Sequence, residues 1–207
     1  LSRVFKVHSE GTFYHTEDGE TRKIKYSVEN LSVDDKGILR QATISLICPD
    51  PYFKDAESTH IEMSNWENNF EFPCEIPEEG MEFGIRSKET IKVVDNDSTT
   101  AIGIKMTIIA DDIVVNPSIM NITTGETLKL LCTMIPNDEI VITTTQGNID
   151  VVLYRDNEKI DYNYTVDEEN EGYVQLETGR NYISYTADSG DDYMNVNFDF
   201  ENCYVMA

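Results

Sequence analysis

The chain has 207 residues, of which 40% are hydrophobic and 27% charged, with 11 Tyr and 8 Phe spread along its length. That is enough apolar material for one large β domain or two small ones and too much for a disordered chain. A formal charge of −23, with no run approaching the roughly 18 apolar residues of a membrane helix, argues against nucleic acid and membrane as partners.

The chain opens directly in strand-like sequence, Leu1-Ser-Arg-Val-Phe-Lys, with no Met and no basic-then-apolar signal pattern. Strands preceding Leu1 are therefore expected in the native protein. Turn signals at Asp18-Gly19 and Lys36-Gly37 separate three or four strands, the last carrying the alternation Ala42, Ile44, Leu46, Cys48. So few strands cannot bury both faces of a sheet, and this segment is expected to need companions.

The two prolines of Cys48-Pro-Asp-Pro-Tyr-Phe-Lys-Asp55 stop that strand and mark a boundary. Residues 1–55 form the first domain on this reading, 56–66 a connector with one short helix over Glu57–Trp66, and 67–207 a complete β domain. In the last, Ile102, Ile104, Met106 and Ile108 alternate with polar residues, as do Leu128, Leu130 and Cys132, Ile140 and Ile142, and Met194, Val196, Phe198 and Phe200. Turns at Asp95-Asn96-Asp97-Ser98, Thr124-Gly125, Gln146-Gly147-Asn148, Thr178-Gly179 and Ser189-Gly190-Asp191 punctuate them, the pattern of a sandwich or barrel. Charge follows the same division. Residues 1–55 hold 8 Lys+Arg against 9 Asp+Glu, a net of −1, and residues 56–207 hold 8 against 30, a net of −22.

Chemistry-bearing motifs are absent. There is no Walker or GxGxxG loop and no GxSxG elbow, and His8, His15 and His60 all fall in the first third. Cys48, Cys74, Cys132 and Cys203 have no zinc-ligand spacing and read as small buried thiols. The acidic groups Asp95/Asp97, Asp111/Asp112, Asp167/Glu168/Glu169/Glu171 and Asp188/Asp191/Asp192 read as solvated turns, with 188–192 the segment best able to bend around calcium. Tyr162, Tyr164, Tyr173, Tyr182 and Tyr185 would be the sugar-stacking aromatics if the sandwich were a carbohydrate-binding or adhesin module, the alternative reading.

Three stretches resemble the distal tail protein family of long-tailed bacteriophages: Ala42–Asp55 with its strand and Pro-Tyr turn, Val94–Thr127 with its Asn-x-Asp/Ser, Asn-Pro and Thr-Gly-Glu turns, and Leu176–Tyr185 with its Gly-x-Asn. They occur in the family's order and spacing. The resemblance implies an all-β fold: an N-terminal partial belt (split-barrel-like) domain, which closes a hexameric ring in the full-length protein, followed by a galectin-like β-sandwich. It further implies a structural, non-enzymatic hub without cofactors, assembled in the bacterial cytoplasm into the virion tail, its partners being further copies of itself, the tail tube and baseplate or receptor-binding proteins. Pro49, Pro51, Tyr52 and Phe53 are expected to shape the junction between domains, and Asn116, Pro117, Gly125 and Gly179 to be turn residues. No metal or catalytic residue is assigned. The galectin-like shape carries no expectation of sugar binding, because no His or Trp follows residue 66.

Overall fold

A computed structural model describes residues 5–37, 39–68, 84–88, 91–145, 147–167 and 172–205, with only the backbone at 35–36, 39–40, 64–68 and 84–88. The chain divides into two compact units: one runs to Ser58 and includes the C-terminal segment from Glu201, and the other is Thr59–Phe200.

The first unit contains β1 (Glu10–Glu17), β2 (Glu20–Lys36), β3 (Leu39–Ile47) and β4 (Phe53–Asp55). In the second unit follow β5 (Thr59–Glu62), β6 (Ser64–Asn68), β7 (Gly84–Lys88), β8 (Ile91–Asn96), β9 (Ile102–Gly103), β10 (Lys105–Ala110), β11 (Val114–Asn121), β12 (Thr127–Lys129) and β13 (Thr133–Met134). The chain continues through β14 (Glu139–Thr145), β15 (Asn148–Arg155), β16 (Glu158–Asp161), β17 (Gln175–Leu176), β18 (Gly179–Ser189) and β19 (Met194–Phe200), and β20 (Cys203–Tyr204) completes the first unit. Short 3-10 turns lie at Asn163–Thr165 and Asp191–Tyr193. The all-β expectation is borne out.

The first unit is one antiparallel sheet in the order β1-β2-β4-β20, with β3 also paired to β2. Asp18 and Gly19, at φ 51° and 91°, form the two-residue turn between β1 and β2, whose left-handed backbone matches the twist of the hairpin. The second unit has a six-stranded sheet, β16-β15-β14-β10-β19-β5, and a five-stranded sheet, β12-β11-β18-β8 with β13 on β11. Two-stranded pairs β9/β17 and β6/β7 accompany them.

Alternation determines which face of each sheet is core. In β10, Met106, Ile108 and Ala110 are buried; in β14, Ile140, Ile142 and Thr144; in β19, Met194, Val196, Phe198 and Phe200. The five-stranded sheet buries Val94, Val114, Ile119, Leu128, Met134, Ile183 and Tyr185. Thr144 is tolerated in this interior because its hydroxyl donates to Val174 O at 2.8 Å and accepts from Ile104 N at 3.0 Å.

The structure corrects three expectations. Residues 57–66 form no helix: β5 lies there as the last strand of the six-stranded sheet, with Ile61 opposite Phe198, and β6 begins at Ser64. The segment read as connector is thus largely strand. The C-terminal residues from Glu201 belong with the first unit, where Cys203 and Tyr204 pair with Lys54 and Phe53. Cys48, Cys132 and Cys203 are free thiols but half-buried, not fully enclosed; Cys74, Glu168, Glu169 and Glu171 lie outside the described residues.

Candidate functional site

The first unit has an amphipathic sheet with very little interior. Registered partners share a face, so Phe13 opposite Ile24, Leu46 opposite Val28, Ile44 opposite Leu31 and Ala42 opposite Val33 place their side chains on one side. A register shift between Val28 and Asn30 keeps Leu31 and Val33 on that side. Phe53 joins them through the pairing of β4 with β2, two residues from Asp55 opposite Arg22. The other face carries Thr12, Lys23, Lys25, Ser27, Ser32 and Thr43, with Tyr14 and Ile47 among them. Yet among the described residues of this unit only Ile24 and Val28 are buried hydrophobics, while Phe13 is 45%, Val33 58% and Leu46 39% exposed. An apolar sheet face left in water forfeits about 25 cal/mol for every Å² that a covering layer would remove. The outer edges of β1 and β3 also have no neighbouring strand among the described residues.

Pro49 and Pro51 are exposed, and Tyr52 and Phe53 half-buried, in the link from β3 into β4. Asp50 organises that link: its Oδ1 accepts the Tyr52 amide at 3.1 Å, and its Oδ2 lies 2.8 Å from Lys54 Nζ. The C-terminal strand is tied in by polar contacts. Lys23 Nζ donates to Glu201 Oε1 at 2.6 Å and to Ala56 O at 3.0 Å, Asn202 Nδ2 donates to Asp55 Oδ2 at 2.9 Å, and the Arg22 guanidinium lies 3.9 Å over the Tyr204 ring.

Asn116 and Pro117 sit inside β11, not in a loop. Asn116 has φ 50°, its amide donates to Cys132 O at 2.8 Å, and the pairing of β11 slips by one residue between β13 and β12. The bulge accommodates a proline that has no N–H to give a ladder. Gly125 (φ +79°) and Gly179 (φ +90°) occupy the left-handed region where a side chain would be strained, in the turn after β11 and at the start of β18.

Those turns are held by three wholly buried asparagines to which sequence reading gave no structural role: Asn96, Asn121 and Asn181. They end or begin β8, β11 and β18 on the core face. Asn96 Oδ1 accepts Ser98 N at 2.9 Å and its Nδ2 donates to Leu176 O at 2.9 Å. Asn121 Oδ1 accepts Thr123 N at 3.0 Å, and its Nδ2 donates to Gln175 O at 2.6 Å and Asn181 Oδ1 at 3.1 Å. Asn181 Oδ1 also accepts Glu177 N at 3.0 Å, and its Nδ2 donates to Glu177 O at 2.7 Å and Gly179 O at 3.0 Å. The Asn-x-Ser and Asn-x-Thr spacings are the signal for the first two, since an Asn side chain bonds the amide two residues on.

Ionisable groups pair off without converging. Among the described residues no three His, Cys, Asp or Glu side chains are placed to share a metal. In the 188–192 segment, Asp188 is engaged on both oxygens, by Lys129 Nζ and Asn116 Nδ2, each at 2.8 Å, and these bonds hold its carboxyl below the usual range. Asp138 is 1% exposed; Arg155 Nε donates to its Oδ1 at 2.8 Å, Nη2 donates to Oδ2, and Ile135 N donates to Oδ2 at 2.8 Å. Burial alone would raise this carboxyl, but the Arg155 bonds and charge together with the Ile135 N–H outweigh it and hold it below its ordinary value. Burial, with Asp138 nearby, pushes the Cys132 thiol up to about 11, too high for a reactive thiolate. The five tyrosines form no common platform: Tyr185 is buried, Tyr182 and Tyr173 are exposed, and Tyr162 and Tyr164 meet edge to face at 5.4 Å.

His60 on β5 is clamped between carboxylates, its Nδ1 2.7 Å from Asp199 Oδ1 and its Nε2 3.7 Å from Glu62 Oε1. The Asp199 bond raises its pKa above the usual 6.5. NMR titration should therefore give a value above 6.5 in the folded chain and a return toward it in Asp199→Asn. The sign of the linkage follows: the contribution is complete below 6.5 and lost as pH rises through the folded value. An unshifted His60 in the parent chain would contradict the pairing.

Compared with family models and with curated proteins, the sequence matches none. Among solved structures the fold is similar to that of a phage hub protein. The Dit protein of SPP1, described as a paradigm of the hub adsorption apparatus in phages that infect Gram-positive hosts, superposes with a TM-score of 0.62 at 11% identity, over 96% of this chain and 68% of that one. A component of the phage P2 baseplate, in its activated conformation with calcium, superposes with a TM-score of 0.49 at 9% identity, over 92% of this chain and 67% of that one.

Proposed function

We propose that this chain is a distal tail hub: a structural protein whose first unit assembles with copies of itself into a ring continuing the tail tube, and whose second unit is a galectin-like sandwich that holds baseplate or receptor-binding proteins. The observation that carries this reading is the first unit's uncovered apolar face. Ten apolar or aromatic side chains of β1, β2, β3 and β4, Tyr26 among them, share one side of a sheet, yet only Ile24 and Val28 are buried. Neighbouring copies supply the missing layer, and the free edges of β1 and β3 supply points for strand pairing. The shared fold with the SPP1 Dit protein supports the same conclusion. Six copies, a cytoplasmic assembly site and a place in the virion tail follow from the resemblance to the distal tail family.

A near-neutral ring former joined to an acidic unit is a physically sensible division, because like charges at a ring interface repel. Charging the apolar face tests the reading. Val33→Glu and Phe13→Glu, both at exposed positions, should reduce the mass measured by light scattering to that of a monomer, whereas Ile149→Glu in the second unit should leave it unchanged. Equal masses for all three variants and the parent would contradict the assignment of this face.

A further inference from the structure

The six-stranded sheet of the second unit turns Met106, Ile108, Ile142, Val196 and Phe198 inward, so alternation places a second set of side chains on its outer face. Register arranges that set in two rows. Glu62, Asn197, Thr107 and Val141 lie opposite one another in turn across β5, β19, β10 and β14, and His60, Asp199, Lys105 and Thr143 form the row beside them. Strands about 4.8 Å apart, with same-face residues about 6.8 Å apart along each, make this a panel of roughly 14 by 7 Å. The absence of any His after residue 66 argued against sugar binding, but β5 belongs to this sheet and brings His60 with it.

The side chains in the panel narrow the class of ligand. Among the described residues, no hydrogen bond or ion pair engages the side chains of Asn197, Thr107, Thr143 or Lys105. The first three are half-buried and Lys105 is exposed, and together they offer an amide, two hydroxyls and an ammonium to a bound molecule. His60 is already oriented: its Nδ1 lies 2.7 Å from Asp199 Oδ1, while its Nε2, 3.7 Å from Glu62 Oε1, is beyond hydrogen-bond distance on a ring that is 50% exposed. Charge is balanced within the panel, His60 and Lys105 standing against Asp199 and Glu62, although residues 59–200 hold 8 Lys+Arg and 28 Asp+Glu, a net of −20. Neither a phosphate nor a basic protein surface is drawn to a balanced panel. A protein partner would also need an apolar, desolvated centre, whereas here the centre is polar and only Val141 and the neighbouring Ile109, both half-buried, supply aliphatic surface. Interleaved donors and acceptors, no net charge and a small aliphatic floor match a neutral molecule with many hydroxyls and a C–H face.

We propose that the outer face of the six-stranded sheet binds a neutral saccharide, with Asn197, Lys105, Asp199 and His60 bonding its hydroxyls and Val141 and Ile109 lying under its C–H face. This is a binding activity of the second unit alone, separate from the hub reading.

Lactose, cellobiose and N,N′-diacetylchitobiose, titrated into the isotopically labelled full chain with glycerol as the control, test it. Saturable amide shifts confined to β5, β10, β14 and β19 are expected with at least one disaccharide and not with glycerol. Asn197→Ala should weaken that binding about tenfold, the worth of a lost polar contact, and Lys105→Met, at an exposed position, by a similar factor. Tyr182→Ala, on the other sheet, should leave it unchanged. Saturation by none of the three disaccharides, shifts centred on Tyr173 and Tyr182 instead, or unchanged affinity in either panel variant would overturn the proposal. None of these outcomes alters the mass of the parent chain, so a failed saccharide site is distinguishable from a failed hub assignment.

Discussion

Asn181→Ala is expected to destabilise the second unit by about 3–5 kcal/mol, since truncating one member of a buried polar network strands every group it served. The lost amide bonds to Glu177 N, Glu177 O, Gly179 O and Asn121 Nδ2, and all of this lies beneath wholly buried side chains. The Asn121 side chain would then retain its bonds to Thr123 N and Gln175 O. Because the same side chains pin the turns around Gly125 and Gly179, the damage should extend from packing to loop position. Urea denaturation monitored by hydrogen exchange at β8, β11 and β18 measures it. A midpoint shift equivalent to less than about 1 kcal/mol, the net worth of an ordinary hydrogen bond, would show that the network is not structural.

Arg155→Met should cost a similar amount, about 3–5 kcal/mol at neutral pH, because removing one partner of a buried ion pair leaves an uncompensated charge. The loss should also depend on pH in a defined sense. In the parent chain the Asp138 carboxyl is held below its ordinary 3.8, so its contribution is present above that value and is lost as pH falls through the lower folded value. In the variant only the Ile135 N–H bond still opposes burial, which is the larger effect, so the carboxyl rises and protonates in the folded state before it does in the unfolded one. The gap between parent and variant should consequently narrow on acidification toward pH 4. Stability curves at several pH values check this; a gap that stays constant from neutral pH to pH 4 would mean that Asp138 does not carry the charge assigned to it.

The fold was legible where alternation is long and one-sided. Met194, Val196, Phe198 and Phe200 announce β19 without any tertiary knowledge, and the Asp18-Gly19 signal is the turn between β1 and β2, whereas the Asn116-Pro117 signal falls inside β11. Residues 57–66 were misread because β5 is short, and its one half-buried residue, Ile61 against Phe198, depends on a strand distant in the chain. The return of residues 201–205 to the first unit was invisible for the same reason: Tyr204 meets Phe53 only through folding.

The buried asparagines show a different limit. Polar residues beside Gly and Ser read as solvated turns, and only the folded chain shows that Asn96, Asn121 and Asn181 point inward. By contrast, the Asp138–Arg155 pair could have been found. The β14–β15 hairpin pairs Glu139 with Tyr154 and Thr145 with Asn148, and extending that register by one step sets Asp138 opposite Arg155. The open face of the first unit was anticipated from strand number alone, since a few strands cannot cover themselves.

The mass of the unaltered chain in solution, measured by sedimentation across micromolar concentrations, bears most directly on the hub assignment. If copies of the first unit cover one another's apolar faces in a closed ring, the expected value is about 142 kDa, six times the 23.6 kDa chain. A species that remains at 23.6 kDa at every concentration, with Phe13 and Val33 still open to solvent, would contradict it.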